Sequence, residues 1–268
     1  MVAPAMIDTH CHLTYDGLHD RVDEVIAAAQ RNGVDRMITV GTTPNDAAKA
    51  AALAERHENV FFTAGLHPGY SGNVTDHAAL KEGLRSLLAH PRVVAIGEMG
   101  LDRHYPDPPM DKQRPAFAAQ LELMQELAEA GRPLPGVVHT REIADDTLAM
   151  IADHGVAGER LVFHCFTGTA DEVERILATG AMVSFTGIVT FNGAKAVAEM
   201  SDRVPLDRLM IETDSPYLTP APYRKIKTNE PKYVRYVAEF LAERRGLSLD
   251  EFVAAMDANA ERFFGLIE

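Results

Sequence analysis

The sequence contains few cysteines. Cys11 and Cys165 are the only two, and two cysteines are too few for a disulfide framework. Each one is adjacent to a histidine, which raises the question of a shared metal site. Because neighbouring residues on a β-strand point to opposite faces, we predict that both are small buried thiols rather than ligands.

Long apolar runs are also missing. No stretch approaches the roughly 18–20 consecutive apolar residues that a membrane-spanning helix needs. The leading "MVAPA" has neither a basic region nor a long apolar run, so it does not resemble a signal peptide. These features predict a cytoplasmic protein without a membrane partner.

Basic residues are outnumbered, 26 against 39 acidic residues, and the net charge is −13. This balance argues against a protein that coats nucleic acid through a broad basic face. It does not exclude an enzyme that holds phosphates locally with metal ions and a few arginines. The 268 residues contain no linker or low-complexity tract, so we predict one domain over residues 1–268 and a monomer.

Eight short apolar runs recur along the chain, separated by amphipathic segments. Eight strands alternating with helices over about 250 residues fit a single (β/α)8 barrel of the TIM type, with a doubly wound open sheet as the alternative. We expect helices over 111–130, 231–245 and 248–264, the last with a capping box from Ser248 and Glu251. In order, the runs are "MIDTHCHL", "RMITVGTT", "VFFTAGLHP", "VVAIGEMGLD", "PGVVHTRE", "LVFHCFTG", "AMVSFTG" and "LMIETDSPYL".

Polar side chains stand at the ends of most runs. In "MIDTHCHL", Asp8, His10 and His12 are spaced by two, which places them on one face of a strand. Asp8 lies deeper in the strand, so we expect it to support a ligand without binding metal. Functional residues of a barrel lie at the C-terminal ends of its strands. The polar residues at these run ends are His10, His12, His67, Glu98, His139, His164 and Asp214.

We predict that six of these side chains bind metal ions. Buried polar groups without partners are costly, and divalent cations relieve that cost. Six ligands exceed what one ion with an open catalytic position takes from protein, so we expect two ions bridged by Glu98 and a water. The predicted ligands are His10, His12, Glu98, His139, His164 and Asp214.

The six residues divide into two sets around the bridge. His10, His12 and Asp214 are assigned to one ion. His139 and His164 are assigned to the other. Four histidines favour Zn, Mn, Co or Fe over Mg, which prefers oxygen ligands and retains water.

Seven pieces of the sequence, in order, closely resemble the TatD-type metal-dependent hydrolases of the amidohydrolase superfamily. The resemblance runs from about residue 6 to "NAERFFG" at 259–265. It implies a TIM-type barrel, a centre of one or two metals on the six positions above, and Mg or Mn in many members. It also implies cleavage of phosphodiester bonds in DNA, often as a 3′→5′ exonuclease. The pieces are "DTHCHL", "GLHP", "GEMGLD", "VVHTRE", "HCFTG", "VSFTGIVTF" and "ETDSPYL".

Three loops depart from the family pattern. Arg103 and His104 follow "GLD" where two aromatic residues are usual. The segment at 225–228 lacks a glycine and is one residue longer, and "RPLPGVVHTRE" carries a less usual Pro135-Gly136. These changes bear on substrate identity more than on the chemistry.

Metal-assisted hydrolysis is the mechanism that we expect, with a metal-bound hydroxide attacking phosphorus. Asp214 would orient the water and take its proton, so Asp214 and Glu98 are the predicted catalytic residues. His67, Arg141 and Arg224 are predicted to hold a phosphate, although Arg224 could equally be a solvated loop charge.

Further residues are expected around this centre. Asp102 would steady its loop or His104, without either residue binding metal. The segment 224–235 is the most basic in an acidic chain, and beside the mouth of the barrel it would attract a DNA backbone. Lys232 and Arg235 fit the outer face of a helix equally well.

Two other functions compete with a deoxyribonuclease. The first is an amide or ester hydrolase, such as a deacylase, on the same metal-dependent barrel. Many amidohydrolases of that kind carry a modified lysine after strand four, where this chain has Glu98. The second is a barrel that only binds a partner, which should have lost ligands; none of the six is missing.

Overall fold

Strands and helices alternate along residues 5–266, the range that the computed structural model describes. Residues 1–4, which form most of the leading "MVAPA" segment, lie outside that range. The strands are β1 Met6–Cys11, β2 Val34–Gly41, β3 Val60–Ala64, β4 Val93–Asp102, β5 Gly136–Arg141, β6 Leu161–Phe163, β7 Met182–Phe185 and β8 Leu209–Ile211. The helices are α1 Val22–Arg31, α2 Pro44–Arg56, α3 His77–Leu88, α4 Met110–Glu129, α5 Ala144–Asp153, α6 Ala170–Ala178, α7 Lys195–Arg203, α8 Val234–Arg245 and α9 Leu249–Phe264.

The eight strands form one parallel sheet in sequence order, from β1 to β8. The sheet closes on itself next to β1, where Cys11 and Ser215 form a parallel bridge and the His12 amide donates to the Ser215 carbonyl at 2.8 Å. The Thr9 hydroxyl adds a bond to the Ile211 carbonyl at 2.9 Å. A single-domain (β/α)8 barrel is therefore confirmed.

The predicted helices are present with small shifts in their boundaries. The expected helix over 111–130 is α4, and 231–245 begins as a short 3₁₀ turn at Pro231–Tyr233 before α8. The capping box of α9 is formed in both directions, because Ser248 and Glu251 each bond the other's backbone amide. No helix within residues 5–266 is both long and apolar enough to cross a membrane.

A small apolar core fills the barrel interior toward the N-terminal ends of the strands. Each strand contributes one or more side chains to this core, and Phe264 of α9 packs against it. The remaining buried apolar side chains form a larger core. Packing of this kind leaves the opposite, C-terminal end of the barrel for a site. The strand residues of the inner core include Ile7, Ile38, Phe61, Val94, Val137, Val162, Met182 and Met210.

Two glycines let β4 lie close against β5. Gly97 and Gly100 have φ of +126° and +144°, and a Cβ on Gly100 would lie 1.9 Å from the His139 carbonyl oxygen. Pairing with β5 is irregular between Ile96 and Met99, and β4 continues to Asp102. Glu98 therefore lies inside its strand, which corrects the prediction that it ends the strand.

Candidate metal centre

Glu98 lies at the centre of the predicted cluster and is almost fully buried. Its Oε1 lies 2.9 Å from His139 Nδ1 and 2.7 Å from His164 Nε2, while its Oε2 lies 3.5 Å from His10 Nε2. Burial alone would raise the pKa of Glu98, but the surrounding imidazoles hold that pKa well below its usual range. One ionised carboxylate thus faces histidines on two sides.

One group of donors contains His10, His12 and Asp214. The two Nε2 atoms of His10 and His12 are 3.3 Å apart, and Asp214 Oδ1 lies 3.2 Å from His12 Nε2. The Asp214 amide donates to the His10 carbonyl at 2.9 Å, which fixes the loop after β8 against β1. Nitrogen and oxygen atoms of the three residues lie within 4.8 Å of one another, as a metal ion requires.

A second group of donors surrounds Glu98 Oε1. His139 Nδ1 and His164 Nε2 are 3.3 Å apart, and both face this oxygen. His67 Nε2 lies 3.5 Å from the same oxygen, and His67, Glu98 and His139 also meet the distance requirement for a metal site. The six predicted ligands are therefore brought together, with His67 beside them.

The imidazoles differ in their affinity for protons. Burial lowers the pKa of each one, and at His10 and His67 burial prevails, with the pKa of His67 lowered to about 4. At His12, His139 and His164 the facing carboxylates outweigh burial and raise the pKa. Protons and a cation would therefore compete for the same nitrogen atoms.

Asp102 orients one of these histidines. Its Oδ2 lies 3.0 Å from His139 Nε2, so the Nδ1 of His139 points to Glu98. Its Oδ1 accepts the His104 amide at 2.8 Å, a contact within the loop that Asp102 is predicted to steady. The His104 ring itself turns away from the cluster and pairs with Glu142 at 2.8 Å.

Asp8 acts on the backbone around the cluster rather than on an imidazole. Its Oδ1 accepts the Thr213 amide at 2.9 Å and the His10 amide at 3.4 Å, and its Oδ2 accepts the Thr213 hydroxyl at 2.6 Å. Burial raises the pKa of Asp8 to about 8. Asp8 therefore joins β1 to the segment that carries Asp214.

Glu212 belongs to this neighbourhood, and the sequence analysis missed it. Its Oε1 accepts the Cys165 amide at 2.7 Å and lies 3.4 Å from His164 Nδ1, while its Oε2 accepts the Ser184 hydroxyl at 2.6 Å. The motif "ETD" could have revealed it, because Glu212 precedes Asp214 by two residues and a spacing of two places side chains on one face of a strand. His10, His164 and Glu212 form a third candidate group for a metal ion.

A cavity of about 680 Å³ opens above the cluster. Arg141 lines it as expected, with its guanidinium 5.5 Å from the ring centre of Tyr105 and no carboxylate within 4.0 Å among residues 5–266. Four tyrosines also line the cavity, and single aromatic residues in loops gave no sequence pattern that could reveal them. They are Tyr15, Tyr70, Tyr105 and Tyr217.

Comparison with known proteins decides the family. A model of the family described as TatD related DNase matches residues 7–265. The chain belongs to this family. It is 37% identical over 261 residues to a protein of Bacillus subtilis named Uncharacterized metal-dependent hydrolase YabD, covering 97% of this chain and 98% of that one.

Other TatD relatives agree in fold and class. A protein of Cronobacter sakazakii named 3′-5′ ssDNA/RNA exonuclease TatD is 37% identical over 252 residues, 92% of either chain. The crystal structure of YjjV, a TatD homologue from Escherichia coli, superposes with a TM-score of 0.88 at 27% identity, over 97% of this chain and 98% of that one. The predicted TatD-type metal-dependent hydrolase is thereby confirmed.

The cysteines of this TatD-family chain differ from each other. Cys11 is fully buried and its thiol contacts the Ile38 carbonyl at 3.4 Å, as expected. Cys165 is only partly buried and lines the cavity, which corrects its prediction. It lies beyond the end of β6 with φ of +46°, so the alternation of strand side chains does not apply there.

Arg224 does not line the cavity. Its guanidinium lies 3.5 Å from the ring centre of Phe191, and its Nη1 donates to the Thr219 carbonyl at 2.9 Å. Lys232 and Arg235, from the same basic segment, pair with neighbouring carboxylates. Most of this segment is therefore held by local contacts.

The altered loop after β4 still presents an aromatic ring to the cavity. Arg103 pairs with Asp146 at 3.3 Å, and neither Arg103 nor His104 lines the cavity. Tyr105, the next residue, does so instead. Of the residues 103–105, Tyr105 is thus the one that borders the cavity.

Proposed function

We propose that this TatD-family hydrolase is a deoxyribonuclease that removes nucleotides from the 3′ ends of single strands. The observation that carries the proposal is the position of Glu98 below an open cavity, where its Oε1 faces His139 and His164 and its Oε2 faces His10. The Cronobacter relative named 3′-5′ ssDNA/RNA exonuclease TatD supports the choice of substrate.

The donor atoms fit divalent cations. Two pairs of imidazole nitrogens, one buried and one partly buried, are each 3.3 Å apart, and each pair faces a carboxylate oxygen. We assign His10, His12 and Asp214 to one ion, His139 and His164 to a second, and Glu98 to both. Bound ions of this kind would lower the pKa of a water molecule towards ~7 and would offset charge on phosphoryl oxygens.

His67 serves as a hydrogen-bond donor in this proposal rather than as a ligand. The Gly69 amide donates to His67 Nδ1 at 2.9 Å, so the neutral ring carries its hydrogen on Nε2. That ring is neutral at pH 7 because burial lowers its pKa to about 4. His67 Nε2 would therefore donate to a phosphoryl oxygen above Glu98.

Arg141 and Asp214 complete the proposed set. Arg141 holds a phosphate through charge-assisted hydrogen bonds, since it borders the cavity without a carboxylate partner within residues 5–266. Asp214 lines the cavity, and its pKa is lowered by His12 despite burial, so it is ionised and able to orient water and accept its proton.

The test is a direct comparison of bond types. Metal-stripped protein is reconstituted with Mn²⁺ and incubated with end-labelled single- and double-stranded DNA, and in parallel with nitrophenyl acetate. We expect shortening of single strands from the 3′ end and little ester cleavage. The Asp214→Asn variant should lose turnover by roughly 100-fold or more while losing less of its metal.

Two results would contradict the proposal. Ester cleavage without any DNA cleavage would favour the deacylase alternative. An Asp214→Asn variant whose turnover falls only in proportion to its metal content would make Asp214 a ligand and nothing more.

A further inference from the structure

Exposed aromatic side chains are concentrated at the catalytic cavity. Among residues 5–266, five large apolar side chains are exposed, and Tyr70, Tyr105 and Tyr217 are three of them, at 45%, 58% and 53%. All three line the catalytic cavity. Most of the large apolar surface that is exposed in this range therefore borders the cavity.

The three tyrosines come from three different loops at the C-terminal end of the barrel. Tyr70 follows β3, Tyr105 follows β4 and Tyr217 follows β8. The three rings thus border one cavity from three separate loops. Exposed aromatic rings at the mouth of a cavity offer faces on which planar groups of a ligand can stack.

Two of the three rings lie close to groups that the proposed reaction uses, and the third contacts Tyr15, whose ring stacks on that of His12 at 4.5 Å. The ring of Tyr70 is centred 6.1 Å from that of His67, and Tyr105 lies 5.5 Å from the guanidinium of Arg141. Tyr217 meets the ring of Tyr15 edge-on at 6.3 Å. A nucleic acid strand with one phosphate at the metal centre would thus have aromatic faces within reach of its nearest bases.

We propose that Tyr70, Tyr105 and Tyr217 stack on unpaired nucleobases of the substrate strand and so select nucleic acid over other phosphodiesters. The inference rests on the proposed function. Stacking on aromatic side chains tolerates every base, because each base has a π-face, and it requires bases that are not paired in a duplex. The rings therefore add a preference for single strands without a sequence preference.

The test compares two strands that differ only in their bases. An octamer of thymidine and an octamer of abasic tetrahydrofuran residues carry the same phosphodiester backbone and charge. We expect wild-type protein with Mn²⁺ to cleave the thymidine strand at least about tenfold better in kcat/KM. In the variant Tyr70→Leu/Tyr105→Leu/Tyr217→Leu that ratio should fall to below about twofold.

Matched variants separate the rings from other effects. Replacing the same three tyrosines by phenylalanine keeps the rings and should keep the ratio. Tyr223→Leu changes an exposed tyrosine that does not line the cavity, and it should also keep the ratio.

Equal wild-type cleavage of both strands would overturn the inference and leave the proposed function intact. So would a leucine variant that retains the wild-type ratio, or a phenylalanine variant that loses it. If wild-type protein cleaves neither strand, the proposed function fails and the stacking role fails with it.

Discussion

At the scale of single residues, the orientation of His139 depends on one carboxylate. Asp102 contacts His139 Nε2, which leaves Nδ1 to face Glu98 and His164. Partners of this kind fix the ring and increase the basicity of the ligating nitrogen. A change at Asp102 should therefore act on metal binding without altering the fold.

We expect Asp102→Asn to weaken Mn²⁺ binding by about 10- to 100-fold, because removal of such a partner has that typical effect. Titration calorimetry on metal-stripped protein measures the affinity. Glu142→Gln is the matched control, since Glu142 contacts His104 in the same loop region but no residue of the cluster. Unchanged affinity in Asp102→Asn would show that His139 needs no such support.

Residue-level prediction from the sequence succeeded where strand geometry decides position. Alternation along β1 placed His10 and His12 on one face, and the structure brings both to Glu98 and Asp214. It failed beyond strand ends: Cys165 turns into the cavity because its φ is positive. Loop tyrosines carry no periodic signal at all, so only the folded chain brings them together.

At the scale of elements, β4 depends on glycine. Gly97 and Gly100 flank Glu98, and Cβ atoms there would meet backbone atoms of β5 at 2.5 Å and 1.9 Å. The motif "GEMGLD" is thus a packing requirement as much as a chemical one. Its glycines bring the Glu98 strand against the strand that carries His139.

Gly100→Ala should lower the free energy of unfolding by about 3 kcal/mol or more, because both its φ and its close neighbour exclude a side chain. Urea denaturation measures the change. Gly83→Ala is the control: Gly83 lies within α3 with open space around it, so alanine should stabilise by roughly 0.5–1 kcal/mol. Equal effects of the two substitutions would contradict the packing requirement.

The junction of α9 with β1 should depend on pH. Asp257 accepts the Ile7 amide at 3.0 Å, and burial raises its pKa from 3.8 to about 7. The folded state therefore holds the proton of the Asp257 carboxyl more tightly than the unfolded state does. The contribution of this proton to the free energy of unfolding is complete below about pH 4 and is lost as pH rises through about 7.

Relative to Asp257→Asn, the wild-type protein should therefore lose up to about 4 kcal/mol of unfolding free energy between pH 4 and pH 8, since about three pKa units correspond to about 1.4 kcal/mol each. Urea denaturation of both proteins across this range gives the difference. A difference that stays constant with pH would show that Asp257 titrates normally.

The sequence predicted the presence of the strands better than the positions at which they end. Eight apolar runs each contain one strand, since a buried parallel strand is apolar on both faces. The length of β4 was not predictable, because two glycines and an irregular pairing with β5 let it continue past Glu98 to Asp102. Such pairing depends on a neighbouring strand that the local sequence does not describe.

At the scale of the whole molecule, the proposed function requires an acidic protein to bind an acidic polymer. The net charge is −13, and most of the basic segment that we expected to attract DNA is paired locally. Lys225 and Lys227 are exposed and have no carboxylate within 4.0 Å in the described part of the chain. They lie in the loop after β8 that also carries Tyr217, a residue that lines the cavity.

Charge reversal in Lys225→Glu/Lys227→Glu should raise KM for single-stranded DNA at low salt. It should also reduce the slope of log KM against log salt concentration by about 1. The control Arg31→Glu/Lys49→Glu introduces the same charge change on exposed positions of α1 and α2. Equal effects in both variants would mean that only the net charge matters.

We propose that the Glu98-centred cluster holds the divalent ions that hydrolysis needs. The most direct test of this claim titrates Mn²⁺ into metal-stripped protein and follows, in the same samples, bound ions per chain and cleavage of a single-stranded oligonucleotide. The expected result is a rate that rises with occupancy and saturates near about two ions per chain, with both lost in Glu98→Gln. Full cleavage by the stripped protein, or wild-type cleavage by Glu98→Gln, would contradict it.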